Sequence, residues 1–190
     1  VTLGTGVGGG IINNGKIVTG VHGAGGEIGH IHVTDDVERN CNCGNRGCLE
    51  QVASATGITY LAKRRLQKDD MPSVLRNGQV SAKTVFDAVK AGDALAMEVA
   101  EEFGKYLGTA LANVACVADP EIFVIGGGVS KAGQVVIDYI KKYYMATAFM
   151  TCKQARFALA ELGNDAGIYG AAKMVLEENR IHRYRKSLCF

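Results

Sequence analysis

The chain has 190 residues, enough for one well-buried domain or two small ones, and its 47% hydrophobic and 21% charged residues are typical of a soluble globular protein. The net charge is +2, but Arg183, Arg185 and Lys186 near the C-terminus account for three of the 21 basic residues, which leaves 18 against 19 acidic ones. A near-neutral body excludes the basic surface that nucleic-acid binding requires, and no apolar run reaches the roughly 18 residues that span a bilayer.

The N-terminal residues predict a β-meander. Val1–Leu3 is the first predicted strand and Gly8–Ile12 the second. Asn13-Asn14-Gly15 predicts a hairpin turn because Asn and Gly tolerate positive φ, and Lys16–Val18 returns antiparallel. The segment His30–Val33 is predicted to be extended. Since the chain opens inside a strand and without Met, we expect the natural N-terminus to lie upstream.

From Leu49 onward the apolar spacing becomes helical. Pro120 is expected to end the longest helix, because proline cannot continue one. An antiparallel meander followed by helices and strand–helix units predicts an α/β domain. The predicted helices are Gln51–Leu66, Ser81–Ala91, a long helix from about Leu95 to Asp119, Lys131–Tyr144 and Ala166–Glu178; the predicted strands are Glu121–Ile125 and Arg156–Leu159.

Three thiols, Cys41, Cys43 and Cys48, stand within eight residues on a glycine-bearing loop. Zinc takes about four such ligands in a tetrahedron, and three cysteines with one histidine are a common structural set. His30 and His32 are the nearby histidines. A disulfide and buried free thiols are the alternatives, but Cys41 and Cys43 are too close in sequence for a comfortable bridge. The cluster predicts a structural zinc ion and a reducing, cytoplasmic location.

The other cysteines carry less information. Cys116 and Cys152 have apolar neighbours and are predicted to be ordinary core residues. Cys189 lies in the basic tail and receives no role.

Two motifs carry a resemblance to a known family. Gly26-Glu27-Ile28-Gly29-His30, followed by Cys-x-Cys-Gly-x-x-Gly-Cys-x-Glu at 41–50, resembles the ROK family of sugar kinases and sugar-responsive repressors. The resemblance implies the actin-like fold of sugar kinases, Hsp70 and actin, here its C-terminal lobe with a mixed sheet, flanking helices and a zinc-bound loop. It implies His30 as the zinc ligand beside Cys41, Cys43 and Cys48. The His30–Cys41 spacing is one residue longer than the family pattern, which leaves His32 as the alternative.

The glycine-rich segments have two interpretations each. The pattern G-x-G-x-x-G at residues 4–9 suggests a dinucleotide site, but that fingerprint must open a helix, and here a hairpin follows. A glycine-tolerant hairpin is the plain interpretation. The glycines before the helix at Lys131 serve either tight packing or a flat ligand. The resemblance implies ATP phosphate contacts at Gly4, Thr5, Gly6, Gly8 and Gly9, and adenosine contacts at Gly126, Gly127 and Gly128.

The resemblance further implies that Glu27, His30 and Glu50 bind sugar hydroxyls, a task that suits carboxylates because they accept several hydrogen bonds. The implied reaction is transfer of the ATP γ-phosphoryl group to a hexose with Mg²⁺. Its catalytic base, an Asp, is expected upstream of Val1, so the chain itself carries none. Glucose is favoured because residues 41–57 look most like bacterial glucokinases of the Gram-positive type.

These expectations define the predicted organisation. Residues 1–180 form the C-terminal lobe with a helical segment at about 50–118, residues 181–190 form a basic tail, and the N-terminal lobe is absent from this chain. A homo-oligomer, commonly a dimer, is expected from the family. The alternatives are a sugar-responsive repressor, a kinase for fructose, mannose or N-acetylmannosamine, and an unrelated zinc-bearing interaction module.

Overall fold

The structure, a computed structural model, describes residues 1–187, with the side chains of Asn164 and of residues 177–187 left out. The chain divides into two compact units, Val1–Ala160 and a second one that begins at Glu161. The first holds every motif discussed above and is a mixture of short strands and helices. Among the described residues, no helix combines the length and the hydropathy needed to cross a bilayer.

The strands are short and pair in three places. β1 and β2 form an antiparallel hairpin, β3 and β4 form a second one, and β5 and β6 are parallel. The second hairpin turns at Asn14 and Gly15, both with positive φ, as Asn-Gly turns require. The predicted strand at Gly8–Ile12 is therefore wrong in its bounds, because its ends belong to two different hairpins. The strands are β1 Thr2–Leu3, β2 Val7–Gly8, β3 Ile12–Asn13, β4 Lys16–Ile17, β5 Ile122–Ile125 and β6 Arg156–Leu159.

The N-terminal hairpin lies beside the parallel pair. Thr2 bridges Gly126 in parallel. The backbone N–H of Leu3 donates to the Gly126 carbonyl at 2.8 Å, and the N–H of Gly126 donates to the Val1 carbonyl at 2.8 Å. The carboxyl ends of β1 and β5 therefore lie at the same edge of the sheet, the edge at which open parallel sheets bind ligands.

The helices agree with the predicted periodicity, but one predicted helix is broken in two and another begins later than predicted. Ser54 is extended (φ −83°, ψ 175°) and splits the helix predicted for Gln51–Leu66. The helix predicted to begin at Lys131 begins instead at Gln134, directly after Gly133, which has φ +86°. The helices are α1 Glu50–Ala53, α2 Ala55–Lys68, α3 Ala82–Lys90, α4 Ala94–Ala118, α5 Gln134–Thr147 and α6 Ala166–Ser187.

α4 forms the centre of the first unit. Its buried stripe is the one that the apolar spacing predicts, and it packs against α2, α3 and α5. Tyr144 of α5 is fully buried, donates its hydroxyl to the Cys152 carbonyl at 2.6 Å, and makes edge contacts with Phe123 and Phe157. The buried α4 residues include Leu95, Val99, Phe103, Leu107, Leu111 and Ala115.

Two further predictions can be compared with this fold. Cys152 is buried as expected, but Cys116 is exposed, because it lies one residue past Ala115 and so turns away from the buried stripe of α4. α6 continues to Ser187, beyond the predicted end at Glu178 and into the predicted tail. No Gly or Pro occurs between residues 171 and 187 to stop it. Cys189 lies outside the described residues.

Asp93 caps α4 and ties it to the preceding loop. Its carboxylate accepts the N–H of Ala96 at 2.9 Å, the N–H of Val74 at 2.8 Å and the hydroxyl of Ser73 at 3.0 Å. Burial alone would raise the pKa of Asp93, but these hydrogen bonds outweigh it and hold the pKa below 3.8. The stabilisation is therefore present above about pH 4 and is lost as the pH falls through the lower pKa of the folded state.

We expect Asp93→Ala to lower the free energy of unfolding by about 1 kcal/mol at pH 7, the usual cost of a lost N-cap. The difference from wild type should shrink as the pH is lowered below 4. Urea unfolding at several pH values measures both. Asp87→Ala is the control, because the Asp87 carboxylate pairs with Lys83 alone among the described residues, on the exposed face of α3. An equal loss in the control would contradict the capping role.

Candidate functional site

The cysteine loop is folded by its own backbone. The N–H of Cys41 donates to the Asn45 carbonyl at 2.7 Å, and the N–H of Gly44 donates to the Cys41 carbonyl at 2.9 Å. Gly44 and Gly47 have φ of +93° and +78°, a region that favours glycine. A Cβ at Gly47 would also overlap the Thr34 carbonyl. The glycines thus let the loop double back on itself and bring its thiols close to one another.

Gln51 fastens the loop to the first turn of α1. Its buried side chain accepts the N–H of Cys48 at 3.2 Å and donates to the Arg39 carbonyl at 2.8 Å. A buried amide with both ends paired fixes its neighbours firmly. The two ends of the loop are therefore joined through one side chain.

The structure brings the four predicted ligands together. The ligand atoms of His30, Cys41, Cys43 and Cys48 all lie within 4.8 Å of one another. Nδ1 of His30 is 3.6 Å from Sγ of Cys41, and Sγ of Cys43 is 3.6 Å from Sγ of Cys48. With Zn–S bonds of about 2.3 Å, the edges of a tetrahedral site are about 3.8 Å long. The cluster therefore has the size and the donor set that suit zinc.

The three thiols differ in how readily they ionise. Burial raises the pKa of Cys41 to about 12 and raises that of Cys48, whereas a hydrogen bond from the backbone of Asn45 lowers the pKa of Cys43. Thiolates this close repel one another, so a zinc ion bound at their centre would offset the repulsion and favour the ionised form of all three.

His32 is not part of this group. Its Nδ1 lies 3.0 Å from the Arg46 carbonyl and its Nε2 lies 3.2 Å from Oδ1 of Asp35. The two histidines are separated because His30 ends a 3₁₀ turn, Ile28–His30, and does not begin the extended segment predicted for His30–Val33, so residues 30 and 32 do not share a strand face. Of the two candidates, His30 is the one within reach of the thiols.

The predicted sugar residues border the thiol cluster. Glu50 begins α1, and its Oε1 accepts the Sγ–H of Cys41 at 3.0 Å. Nε2 of His30, on the far side of the ring from Cys41, lies 3.9 Å from Oε2 of the exposed Glu27. Two carboxylates and an imidazole nitrogen thus lie around the cluster with oxygen and nitrogen atoms available to hydroxyl groups. Their role toward a sugar stays a prediction.

The two glycine-rich turns meet at the shared strand edge. Gly4–Gly6 connects β1 to β2, and its first N–H donates to the Gly6 carbonyl at 3.0 Å. Gly127 has φ +89°, and a Cβ there would lie 2.6 Å from the Leu3 carbonyl oxygen. The turn at Gly126–Gly128 therefore lies against the end of β1, beside the Gly4–Gly6 turn, and both turns stand at the carboxyl ends of neighbouring strands.

The glycines predicted to bind the nucleotide fall into two groups. A Cβ at Gly4 or Gly128 would meet nothing within 4 Å, so these positions face open space. Gly8 and Gly9 lie past the turn, where Gly9 packs against the Gly26 carbonyl and the Ile28 side chain. Gly126 lies against Ala160. Packing thus explains several of these glycines without a ligand, and contact with ATP stays a prediction for all eight residues, Thr5 included.

Glu50 links the two halves of the site. Its Oε2 lies 2.6 Å from the place where a Cβ on Gly6 would stand. The carboxylate therefore lies between the thiol cluster on one side and the Gly4–Gly6 turn on the other. Sequence reasoning did not predict this contact, since 44 residues separate Gly6 from Glu50 and no local pattern joins them.

The hydroxyls of Ser54 and Thr56 were also missed. Thr56 donates to the Thr5 carbonyl at 2.9 Å and lies 2.9 Å from the Ser54 hydroxyl. The sequence did contain one signal, because serine is a preferred helix N-cap and Ser54 caps α2. The apolar spacing continues across Ser54 and so hid the start of a new helix.

A profile of the ROK family matches residues 1–178. The chain belongs to the ROK family. This ROK chain is 46% identical over 183 residues to a glucokinase of Halalkalibacterium halodurans, a match that covers 94% of the chain and 56% of that protein. It is also 39% identical over 136 residues to the transcriptional regulator NagC of Escherichia coli, covering 72% of the chain and 33% of the regulator.

The fold agrees with that membership. A ROK glucokinase from Streptomyces griseus, solved in complex with glucose and AMPPNP, superposes with a TM-score of 0.80 at 36% identity, covering 91% of this chain and 58% of that one. The predicted actin-like lobe is thereby confirmed. The ROK chain spans just over half the length of the glucokinases that it matches.

Proposed function

We propose that the ROK chain is the C-terminal lobe of an ATP-dependent hexokinase that converts glucose to glucose 6-phosphate. The observation that carries the proposal is the position of Glu50, whose two oxygens face the thiol cluster and the Gly4–Gly6 turn. A carboxylate placed there can accept sugar hydroxyls next to a turn suited to phosphates. Relatives described as glucokinases, and one solved with glucose and AMPPNP, support this assignment.

In this proposal each group has a binding role. Glu27, His30 and Glu50 orient the sugar, and the backbone of Gly4–Gly6 and Gly126–Gly128 accommodates ATP with Mg²⁺. Zinc, when bound by His30 and the three thiols, supplies structural order and no chemistry. Phosphoryl transfer then depends on positioning and on a carboxylate that accepts the hydroxyl proton. That base is proposed to lie in the remaining part of the kinase, upstream of Val1.

A sugar-responsive repressor is the second candidate, favoured by the similarity to NagC. That match covers less of the chain than the glucokinase match does, 72% against 94%. The open glycine turns also support a nucleotide role, which a repressor does not need. A homo-oligomer and a cytoplasmic location belong to the same proposal, and sedimentation of the full-length protein measures the former.

We expect the purified full-length protein to phosphorylate glucose with a kcat/KM at least about tenfold above that for fructose, mannose or N-acetylmannosamine, because an unmatched hydroxyl leaves a buried acceptor unpaired. ADP release with each sugar measures this. The 190-residue chain alone is the control and should be inactive. Preference for another hexose would contradict the substrate, and sugar-dependent DNA binding without phosphoryl transfer would contradict the kinase.

A further inference from the structure

The break between α1 and α2 places the first two residues of α2 against the Gly4–Gly6 turn, which is proposed to bind phosphates. We infer that Thr56 is a positioning residue, which holds the Gly4–Gly6 turn at a fixed distance from Glu50. The expected effect on ATP binding rests on the proposed function. Thr56 itself touches neither the thiol cluster nor Glu50 by any hydrogen bond among the described residues. Its effect passes through the turn.

The first two residues of α2 hold two consecutive carbonyls of the turn. The N–H of Ala55 donates to the Gly4 carbonyl at 2.8 Å, and the hydroxyl of Thr56 donates to the Thr5 carbonyl at 2.9 Å. The first N–H groups of a helix have no partner within that helix. Here one of them is satisfied by a turn 51 residues earlier in the chain, so the turn serves as part of the cap of α2.

The hydroxyls form a chain with a single direction. Thr56 has one hydroxyl proton, and it is used on the Thr5 carbonyl. The Ser54 hydroxyl, 2.9 Å from the Thr56 oxygen, must therefore be the donor of that pair. The Ser54 oxygen in turn accepts the N–H of Gly57 at 3.0 Å, and Ser54 is fully buried. The relay runs from the α2 backbone through two hydroxyls to the turn.

The same short segment carries the other functional groups. Cys48 lies two residues before Glu50, the first residue of α1, and Thr56 lies six residues after Glu50, at the second position of α2. Glu50 faces Gly6, while Thr56 holds the neighbouring Thr5. The segment that bears the proposed sugar carboxylate thus also fastens the turn, and the Thr56 bond is one of the contacts that set the distance between the two proposed substrate sites.

The test compares three variants of the full-length protein. Thr56→Val keeps the shape of the side chain and removes the hydroxyl, whereas Thr56→Ser keeps the hydroxyl. Thr59→Val is the matched control, because Thr59 lies on the same helix and, within the part of the chain that the structure describes, its hydroxyl donates to the Ala55 carbonyl of its own helix alone, at 2.9 Å. The readouts are kcat, the KM values for ATP and glucose, zinc per chain, and hydrogen exchange at the amides of Gly4 and Ala55.

We expect Thr56→Val to raise the KM for ATP about fivefold, the size that one net hydrogen bond contributes. The KM for glucose and the zinc content should stay at wild-type values, and exchange at Gly4 and Ala55 should become faster. Thr56→Ser should restore all of these, and Thr59→Val should change none. An unchanged KM for ATP, an equal rise in both KM values, or the same effect from Thr59→Val would overturn the positioning role.

Hydrogen exchange separates this inference from the proposed function. If the wild-type protein phosphorylates no sugar, the proposed function is wrong, and the exchange rates still decide whether Thr56 fastens the turn. Unchanged exchange in Thr56→Val overturns the inference even where the wild-type protein is an active hexokinase.

Discussion

Cys43→Ser in the full-length protein should lose its zinc and bind glucose about tenfold to a hundredfold more weakly, the usual effect of disturbing the residues that orient a site. Cys43 is the suitable ligand to change because it is exposed, whereas Cys41 and Cys48 are buried. Serine is a poor zinc ligand, and its introduction at an exposed position leaves no cavity. Since Oε1 of Glu50 lies 3.0 Å from Sγ of Cys41, a shift of the cysteine loop should also displace this carboxylate, which is proposed to bind the sugar.

The KM for ATP should change little, because the Gly4–Gly6 turn is held by α2 and not by the thiols. Metal analysis, glucose titration calorimetry and ATP kinetics measure the three quantities. Cys116→Ser is the control, since Cys116 is an exposed thiol outside the cluster. An unchanged metal content, or equal losses for both ligands, would show that the cluster does not support the sugar site.

Gly127→Ala should destabilise the protein by about 3 kcal/mol or more, the range of the largest single-site effects. Gly127 has φ +89°, where an L-residue is strained, and the added Cβ would lie 2.6 to 2.7 Å from backbone atoms of Leu3. The β1 strand cannot move away without losing its bonds to Gly126. Urea unfolding measures the loss.

Gly128→Ala is the matched control at the next position. Its φ is −62° and a Cβ there meets nothing within 4 Å, so stability should stay within about 0.5 kcal/mol of wild type. The KM for ATP should nevertheless rise, because the new methyl group would occupy the space proposed for adenosine. A Gly127→Ala variant as stable as wild type would contradict the packing role of Gly127. An unchanged KM for ATP in Gly128→Ala would contradict the proposed contact between Gly128 and the nucleotide.

The two glycines illustrate what the sequence could predict. The triplet at 126–128 indicated a strand–helix turn, and that is correct. Nothing in three identical letters distinguishes the glycine that packs on Leu3 from the one that faces open space, because the difference arises from the parallel bridge between β1 and β5. Contacts of that kind join distant segments and leave no local pattern.

The same reasoning explains the other differences. The thiol cluster was predictable because its spacing is local, and it is found as expected with His30. The helix break at Ser54 was missed because apolar residues continue across it with helical spacing, while the buried serine hydroxyl favours a new cap. Cys116 was misplaced for a related reason: apolar neighbours in sequence do not specify which face of α4 a residue occupies.

The side chain of Gln51 should limit how far the structure changes when the metal is removed. Its bonds to Arg39 and Cys48 need no ion, so they persist when a chelator takes the zinc. Small zinc domains unfold without their metal because nothing else closes their loops. We therefore expect metal depletion to loosen the loop between Arg39 and Cys48 and to leave α1 and α2 in place, a local change in one wall of the proposed pocket rather than unfolding of the lobe.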